Sequence, residues 1–211
     1  NERFGASVAM HKNAIVVGAP AHANSGVAYV YTADGVGAHT AATSWVEVAQ
    51  LSGNSADIGD PTPGLGASVD IYDKTIVVGA PSGDSADRGC ALVFTTTQDT
   101  QHRGWSYAAK LTASNAGPAD EFGRAVSMPN ANTIVVSAPF EDTNNTNAGS
   151  VYVFTGAGAN WSETQKITYS GALESAAGAK GGTGRNLVAT QKEIFVGADE
   201  GTTEKVIRYR I

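Results

Sequence analysis

One short phrase recurs four times along this chain of 211 residues. Each copy opens with a glycine and closes 13 or 14 residues later with a small-residue triplet. The opening pairs are Phe4-Gly5, Leu65-Gly66, Phe122-Gly123 and Thr183-Gly184. The closing triplets are Gly18-Ala19-Pro20, Gly79-Ala80-Pro81, Ser137-Ala138-Pro139 and Gly197-Ala198-Asp199. Because self-similarity at a fixed spacing indicates a repeat architecture, we expect one structural unit built four times.

Each unit contains the same series of short apolar runs. In the first unit, residues 14–18 are almost entirely apolar, which is typical of a strand buried on both faces. Residues 27–32 form a third run, and residues 44–51 alternate as a half-exposed outer strand does. The fourth unit repeats the first three runs but has no outer run that begins with tryptophan. The 25 glycines between the runs fit many short strands joined by turns.

These runs predict an all-β fold, a β-propeller of four-stranded antiparallel blades whose last blade lacks its outer strand. We predict a single propeller domain or propeller fragment over residues 1–211. Its blades are expected at about 4–52, 65–112, 122–168 and 183–211. Only three residues precede Phe4, so we expect further blades from the same protein or from a neighbouring chain.

The two phrases resemble the FG-GAP repeat family, whose units build the N-terminal β-propeller of integrin α subunits. The resemblance covers nearly the whole chain, although Ser137 replaces glycine in the third unit and the fourth keeps only the Gly197-Ala198 pair. We expect the large residues Phe4, Leu65 and Phe122 to pack between neighbouring blades. The glycines that follow them allow a positive φ or a close backbone approach.

Many members of this family bind calcium in an acidic loop between the first two strands of a blade. The matching turns here are short and poor in carboxylates, so we do not carry those calcium sites over; they are residues 11–13, 72–75, 129–133 and 191–193. Acidic pairs do follow two of the closing triplets, namely Asp84 and Asp87, and Glu141 and Asp142. They are the candidates for a calcium site completed by backbone carbonyls, and solvated loop carboxylates are the alternative. No cofactor is assigned.

Three tryptophans recur at the start of the outer run: Trp45, Trp105 and Trp161. They are expected to pack in the core, and a set of sugar-stacking platforms is the alternative. Two sequons, at Asn144 and Asn160, would carry N-glycans on a eukaryotic secretory route. The single cysteine, Cys90, lies within an apolar run and is expected to be a buried apolar residue.

The chain lacks the motifs of nucleophilic, phosphate-binding or metal-dependent catalysis, and the inner runs carry only small and apolar residues. A net charge of −6 argues against nucleic acid, and no apolar run is long enough for a membrane span. We therefore expect a non-enzymatic extracellular or cell-surface module that binds a protein or glycan through its loops or has a structural role. The alternatives are a lectin with sugar pockets between blades and an accessory propeller domain of a larger secreted enzyme.

Overall fold

The computed structural model describes residues 2–33, 44–53, 63–83, 86–98, 103–143, 148–168, 186–199 and 204–210. Sheet 1 contains β1 (Ser7–His11), β2 (Ala14–Ala19), β3 (Val27–Ala33) and β4 (Trp45–Leu51). Sheet 2 contains β5 (Ser68–Tyr72), β6 (Thr75–Ala80), β7 (Cys90–Thr95) and β8 (Ser106–Leu111). Sheet 3 contains β9 (Val126–Asn130), β10 (Thr133–Ala138), β11 (Ser150–Ala157) and β12 (Asn160–Thr168). Sheet 4 contains β13 (Leu187–Ala189), β14 (Glu193–Asp199) and β15 (Glu204–Arg210).

Each sheet is antiparallel and its strands are ordered as they follow one another in the chain. The helical content of the described residues is one 3₁₀ turn, His22–Asn24. The all-β prediction of four-stranded blades with a shorter last blade is therefore confirmed. The second strands of sheets 2 and 3 are rich in valine and isoleucine, as is typical of strands that are covered on both faces.

The second strand places alternate residues on two faces of its sheet. We call the small face the one that carries Val16 and Gly18 in sheet 1, and the large face the one that carries Ile15 and Val17. In each interface the small face of one sheet packs on the large face of the next. Val16 and Val30 share a cluster with Ile76 and Val78, Val77 and Val93 with Ile134 and Val136, and Val135 and Val153 with Ile194 and Val196.

The repeated phrase marks these interfaces between sheets. A Cβ on Gly18 would lie 2.0 Å from the carbonyl oxygen of Gly66, and a Cβ on Gly79 would lie 2.0 Å from that of Gly123. Gly66 and Gly123 both have a φ of +93°, which favours glycine. The closing glycine of one unit therefore touches the opening glycine of the next, at a distance that leaves no room for a side chain.

A serine strengthens the same contact in the first two interfaces. Ser7 Oγ donates to the Gly66 carbonyl at 2.8 Å. Ser68 Oγ makes the equivalent bond to Gly123 at 2.9 Å. Each of these serines lies directly opposite the closing glycine of its own sheet.

Sheet 3 exchanges these two residues between its strands. Ala125 stands where the first two units have serine, and Ser137 stands where they have the closing glycine. Ser137 Oγ accepts from the Ala125 N–H at 3.0 Å, so the hydroxyl bonds within its own sheet. The pair formed by Ala125 and Ser137 therefore still contains one hydroxyl group and one small residue without a hydroxyl.

The large residues of the opening pairs differ in their surroundings. Leu65 and Phe122 are fully buried and bridge to Gly26 and Gly89 of the preceding unit. The expectation that Phe4 packs between blades is not met: its side chain is 56% exposed and its ring lies edge-on against Tyr29, at 5.4 Å, within its own sheet. The reason is that the described residues place no sheet on the large face of sheet 1. Thr183 and Gly184 lie outside the described residues.

Candidate functional site

The loops between second and third strands and the connectors between sheets share one edge of the stack. We use the name connector edge for the edge formed by residues 86–89, 112–121 and 139–143. We use the name hairpin edge for the opposite edge, which carries the turns at 12–13, 73–74, 131–132 and 190–192. The connector 112–121 joins sheets 2 and 3 and is bonded to the loop of sheet 2. Ala119 N–H donates to Ala86 O at 2.8 Å, and Phe122 N–H donates to Arg88 O at 3.0 Å.

Glu141 lies at the centre of a buried polar cluster on this edge. Its carboxylate accepts from Ser150 Oγ at 2.6 Å, from Asn115 Nδ2 at 2.7 Å and from Lys166 Nζ at 3.0 Å. The backbone N–H of Thr143 adds a bond at 3.1 Å, and the Thr143 hydroxyl adds another. Donors from three separate segments therefore converge on one carboxylate.

The charge of Glu141 is stabilised by these donors. Burial acts to raise its pKa, but the bonds from Ser150, Thr143 and Lys166 outweigh burial and lower the pKa from 4.5 to about 2. Glu141 is therefore ionised at neutral pH, and Lys166 provides the counter-ion in an ion pair that is largely shielded from solvent.

The connector is fastened to sheet 3 by two further contacts. Tyr152 Oη donates to Asn115 Oδ1 at 2.8 Å, and the Lys166 ammonium lies 5.7 Å from the centre of the Tyr152 ring. Ser114 donates to the Glu163 carboxylate through its backbone N–H and through Oγ, both at 2.9 Å. Burial, followed by the charge of Glu141, raises the pKa of Tyr152. The tyrosine is therefore a neutral donor in this cluster.

Asp120 is the second buried carboxyl of the connector edge. Its Oδ2 accepts from the Gly117 N–H at 2.7 Å. Burial raises its pKa, the Gly117 bond opposes this, and the charges of Glu141 and Asp142 add to the increase. Glu141 and Asp120 thus lie close together with pKa values shifted in opposite directions.

Among the described candidates for cation ligands, Asp87, Glu141 and Asp142 are not grouped as a metal site. Asp87 and Asp142 are exposed, and the Glu141 carboxylate is occupied by protein donors. Asp84 lies outside the described residues. Within the described ranges, no three His, Cys, Asp or Glu side chains are grouped so that they could hold a metal ion.

The three tryptophans are half-buried at the start of their outer strands. Trp105 packs against the core between sheets 1 and 2, and Trp161 packs against the core between sheets 2 and 3. Trp161 Nε1 also donates to Gly158 O at 2.9 Å. The rings of Trp105 and Trp161 therefore each have one packed part and one part open to solvent.

The sequons and the cysteine lie in contrasting environments. Asn160 is exposed at the first position of β12, and Asn144 lies outside the described residues. Cys90 is a buried free thiol at the start of β7.

The main components of the cluster were not found by sequence reasoning. Asn115, Tyr152 and Lys166 come from a connector, a third strand and an outer strand, and each looks ordinary in its own segment. One signal was available: Glu141 takes the position that His22 and Gly83 occupy in the first two units. A charged residue that occurs at only one copy of a repeated position indicates a role specific to that unit, because the other units fold without it.

One comparison with known proteins identifies the repeat. The FG-GAP repeat profile matches residues 1–31 and 105–154, and no curated protein matches the chain. One similar solved structure is the β-propeller domain of the Trilobed protease from Pyrococcus furiosus, described as having an open velcro topology. It is 8% identical, with a TM-score of 0.38 over 93% of this chain. The chain spans 65% of the length of that structure.

The part of the chain that the structure describes contains no helix with the length and hydropathy needed to cross a bilayer. The propeller blades and their repeats indicate a binding or structural module. The profile matches identify FG-GAP repeats in two parts of the chain, residues 1–31 and residues 105–154.

Proposed function

We propose that this protein is a non-enzymatic, extracellular or cell-surface binding module that recognises a protein or glycan through its connector edge. The observation that carries the proposal is the cluster around Glu141. It fixes the connector 112–121 and the loop after Pro139 in one arrangement.

A rigid loop favours binding because less conformational entropy is lost when the partner docks. The side chains around the fixed cluster are also suited to recognition. Asp87, Arg124 and Asp142 are exposed on or beside the connector edge, so both signs of charge are present on a fixed frame. Loops held by a rigid scaffold are where recognition residues concentrate.

The test uses the whole protein against two named probes, a printed glycan array and a panel of purified cell-surface ectodomains. Arg124→Ala and Asp142→Ala are expected to weaken binding at least about fivefold, or about 1 kcal/mol, because each removes an exposed charge from the recognition edge. Lys192→Ala is the matched control, because it removes an exposed charge from the hairpin edge. Equal effects of all three variants would contradict the proposed site, and a protein that binds neither probe would contradict the proposed function.

A lectin is the second candidate, and the three half-buried tryptophans at equivalent positions favour it. Aromatic faces of this kind stack on sugar rings. If the array identifies a glycan that the protein binds, Trp161→Ala should abolish binding of that glycan, whereas Arg124→Ala should leave its affinity unchanged. Trp105→Ala then shows whether more than one blade contributes a sugar pocket.

A further inference from the structure

The turn between β13 and β14 borders an open cavity at the hairpin edge of sheet 4. The cavity has a volume of about 610 Å³, a size typical of small-molecule sites, and is lined by Thr190, Gln191, Lys192, Glu193 and Arg210. Thr190 fixes the turn. Its Oγ1 accepts from the Glu193 N–H at 3.0 Å and from the Lys192 N–H at 3.3 Å, and its own N–H donates to Glu193 O at 2.7 Å. The backbone of the lining is therefore fixed before a ligand binds.

Two charged residues of this cavity stand at repeated positions where the other units have small residues. Glu193 lies opposite Arg210 in the register of β14 and β15. The equivalent pairs of sheets 1, 2 and 3 are Ala14–Thr32, Thr75–Thr95 and Thr133–Thr155. Pairing of the two strands therefore does not require charge at these positions. Glu193 and Arg210 indicate a role that is specific to the fourth unit.

Two cations of the cavity have no counter-ion in the described chain. The Glu193 carboxylate faces Arg208, whose Nε lies 3.7 Å from Glu193 Oε1. No acidic group of the described chain pairs with Lys192 Nζ or with the Arg210 guanidinium, and both residues are exposed. The cavity thus combines two uncompensated positive charges with one carboxylate acceptor.

This mixture of charges defines the chemistry of a matching ligand. Lys192 and Arg210 suit an oxoanion, because a guanidinium donates two parallel hydrogen bonds to the oxygens of one anionic group. A bare phosphate or a run of acidic side chains would also meet the Glu193 carboxylate, which repels anions. An acidic sugar avoids this conflict, because its ring hydroxyls donate to Glu193 while its acidic group contacts the two cations.

The surface beside the cavity is apolar. Val188 is 57% exposed and Val206 is 74% exposed. The register puts both on the face of sheet 4 that carries Glu193 and Phe195. Burial of apolar surface favours association, and a sugar ring presents an apolar face of C–H groups. The neighbouring ring of an oligosaccharide therefore finds a suitable surface next to the cavity.

We propose that this cavity binds an acidic sugar residue of an oligosaccharide, with its carboxylate or sulfate group on Lys192 and Arg210 and its ring hydroxyls on Glu193. The site lies at the hairpin edge, so it is separate from the connector edge and does not depend on the function proposed for that edge. Connector-edge ligands that carry no carboxylate or sulfate group should remain insensitive to Lys192→Ala.

The test measures binding to the full chain at low salt by isothermal titration calorimetry. The probes are a galacturonate tetramer with its methyl-esterified form, and a sulfated galactose tetramer with its unsulfated form. At least one acidic tetramer should bind, and the comparison of the two identifies the acidic group. The neutral form of that tetramer should bind at least about tenfold more weakly, because it makes no charge-assisted hydrogen bonds.

Three variants test the named contacts. Lys192→Ala and Arg210→Ala should each weaken binding about tenfold, because each removes a charged donor. Lys12→Ala is the matched control and should have no effect, because it removes a charge of the hairpin edge that is already paired with Asp73 at 2.5 Å. Glu193→Ala should weaken binding about fivefold through loss of a hydroxyl acceptor. Simple attraction between charges would instead make the Glu193→Ala variant bind more tightly.

Several results would overturn the proposal. They are a lack of binding to both acidic tetramers, tighter binding by Glu193→Ala, and equal effects of Lys12→Ala and Lys192→Ala. Tetraglutamate is the acidic peptide probe, and binding as tight as that of the better sugar would also overturn the proposal. Lys192 is exposed in a turn, so its variant decides the matter even if Arg210→Ala does not fold. Arg124→Ala, on the connector edge, should leave this binding unchanged, which separates the two sites.

Discussion

Replacing Gly79 by alanine tests whether the closing glycine of the repeated phrase is needed for the contact between neighbouring sheets. The new Cβ would lie 2.0 Å from the Gly123 carbonyl oxygen and 2.3 Å from Ser68 Oγ, so backbone of two sheets would have to separate. Overpacking of this kind costs about 1–3 kcal/mol, and loss of the Ser68–Gly123 hydrogen bond adds about 1 kcal/mol. We expect a loss of about 3 kcal/mol in the free energy of unfolding, or about 6–12 °C in Tm for a protein of this size.

The matched control is Gly197→Ala at the same position of the fourth unit. Its Cβ would meet Asn186 O at 3.7 Å, which is ordinary contact. Alanine in a strand should be neutral there or stabilise by about 0.5–1 kcal/mol. Urea unfolding followed by tryptophan fluorescence measures both variants. Equal losses in the two would refute the reasoning, because the cost would then come from the strand and not from the neighbouring sheet.

Three further results are expected. Glu141→Gln should lower the free energy of unfolding by about 3 kcal/mol at pH 7, because it leaves Lys166 without its counter-ion. The depressed pKa of Glu141 makes its contribution complete above about pH 4.5 and lost as the pH falls to about 2, so urea titrations of the two proteins should converge there. Asp120→Asn should stabilise the protein at pH 7 and not at low pH, because burial raises the pKa of Asp120 and folding then favours its neutral form. The Cys90 thiol is 1% exposed and should react with Ellman's reagent only as the chain unfolds, with the midpoint seen by fluorescence.

The strands and their order could be predicted because they depend on local pattern. The runs of valine and isoleucine that end at Gly18, Gly79 and Ser137 are long enough to identify buried strands without any knowledge of the neighbours. The spacing of the phrase likewise predicted repeated contacts, but it did not show that Gly79 touches Gly123 of the next unit. Such a contact depends on how two sheets stack, which no single unit encodes.

The burial and the contacts of a residue were harder to predict from the sequence than the strand to which it belongs. Phe4 and Phe122 are both followed by glycine, yet Phe4 is exposed and Phe122 is buried, because within the described residues only Phe122 has a sheet on its outer side. The cluster around Glu141 was missed for a related reason. Its donors Asn115 and Lys166 lie 26 and 25 residues away along the chain, on different segments.

The exchanged serine in sheet 3 bears on how arrays of this kind change during evolution. A recombination joining β5 of unit 2 to β10 of unit 3 would set Ser68 opposite Ser137, two hydroxyls where the pair in each of the first three units holds one. The reverse join would set Ala125 opposite Gly79 and leave no hydroxyl for the bond. Neither hybrid reproduces a pairing that the first three units use. The hairpin of the first two strands is thus the smallest segment that can be exchanged with its pair intact. A crossover is tolerated best in the connectors between sheets, because both residues of the pair then come from the same parent unit.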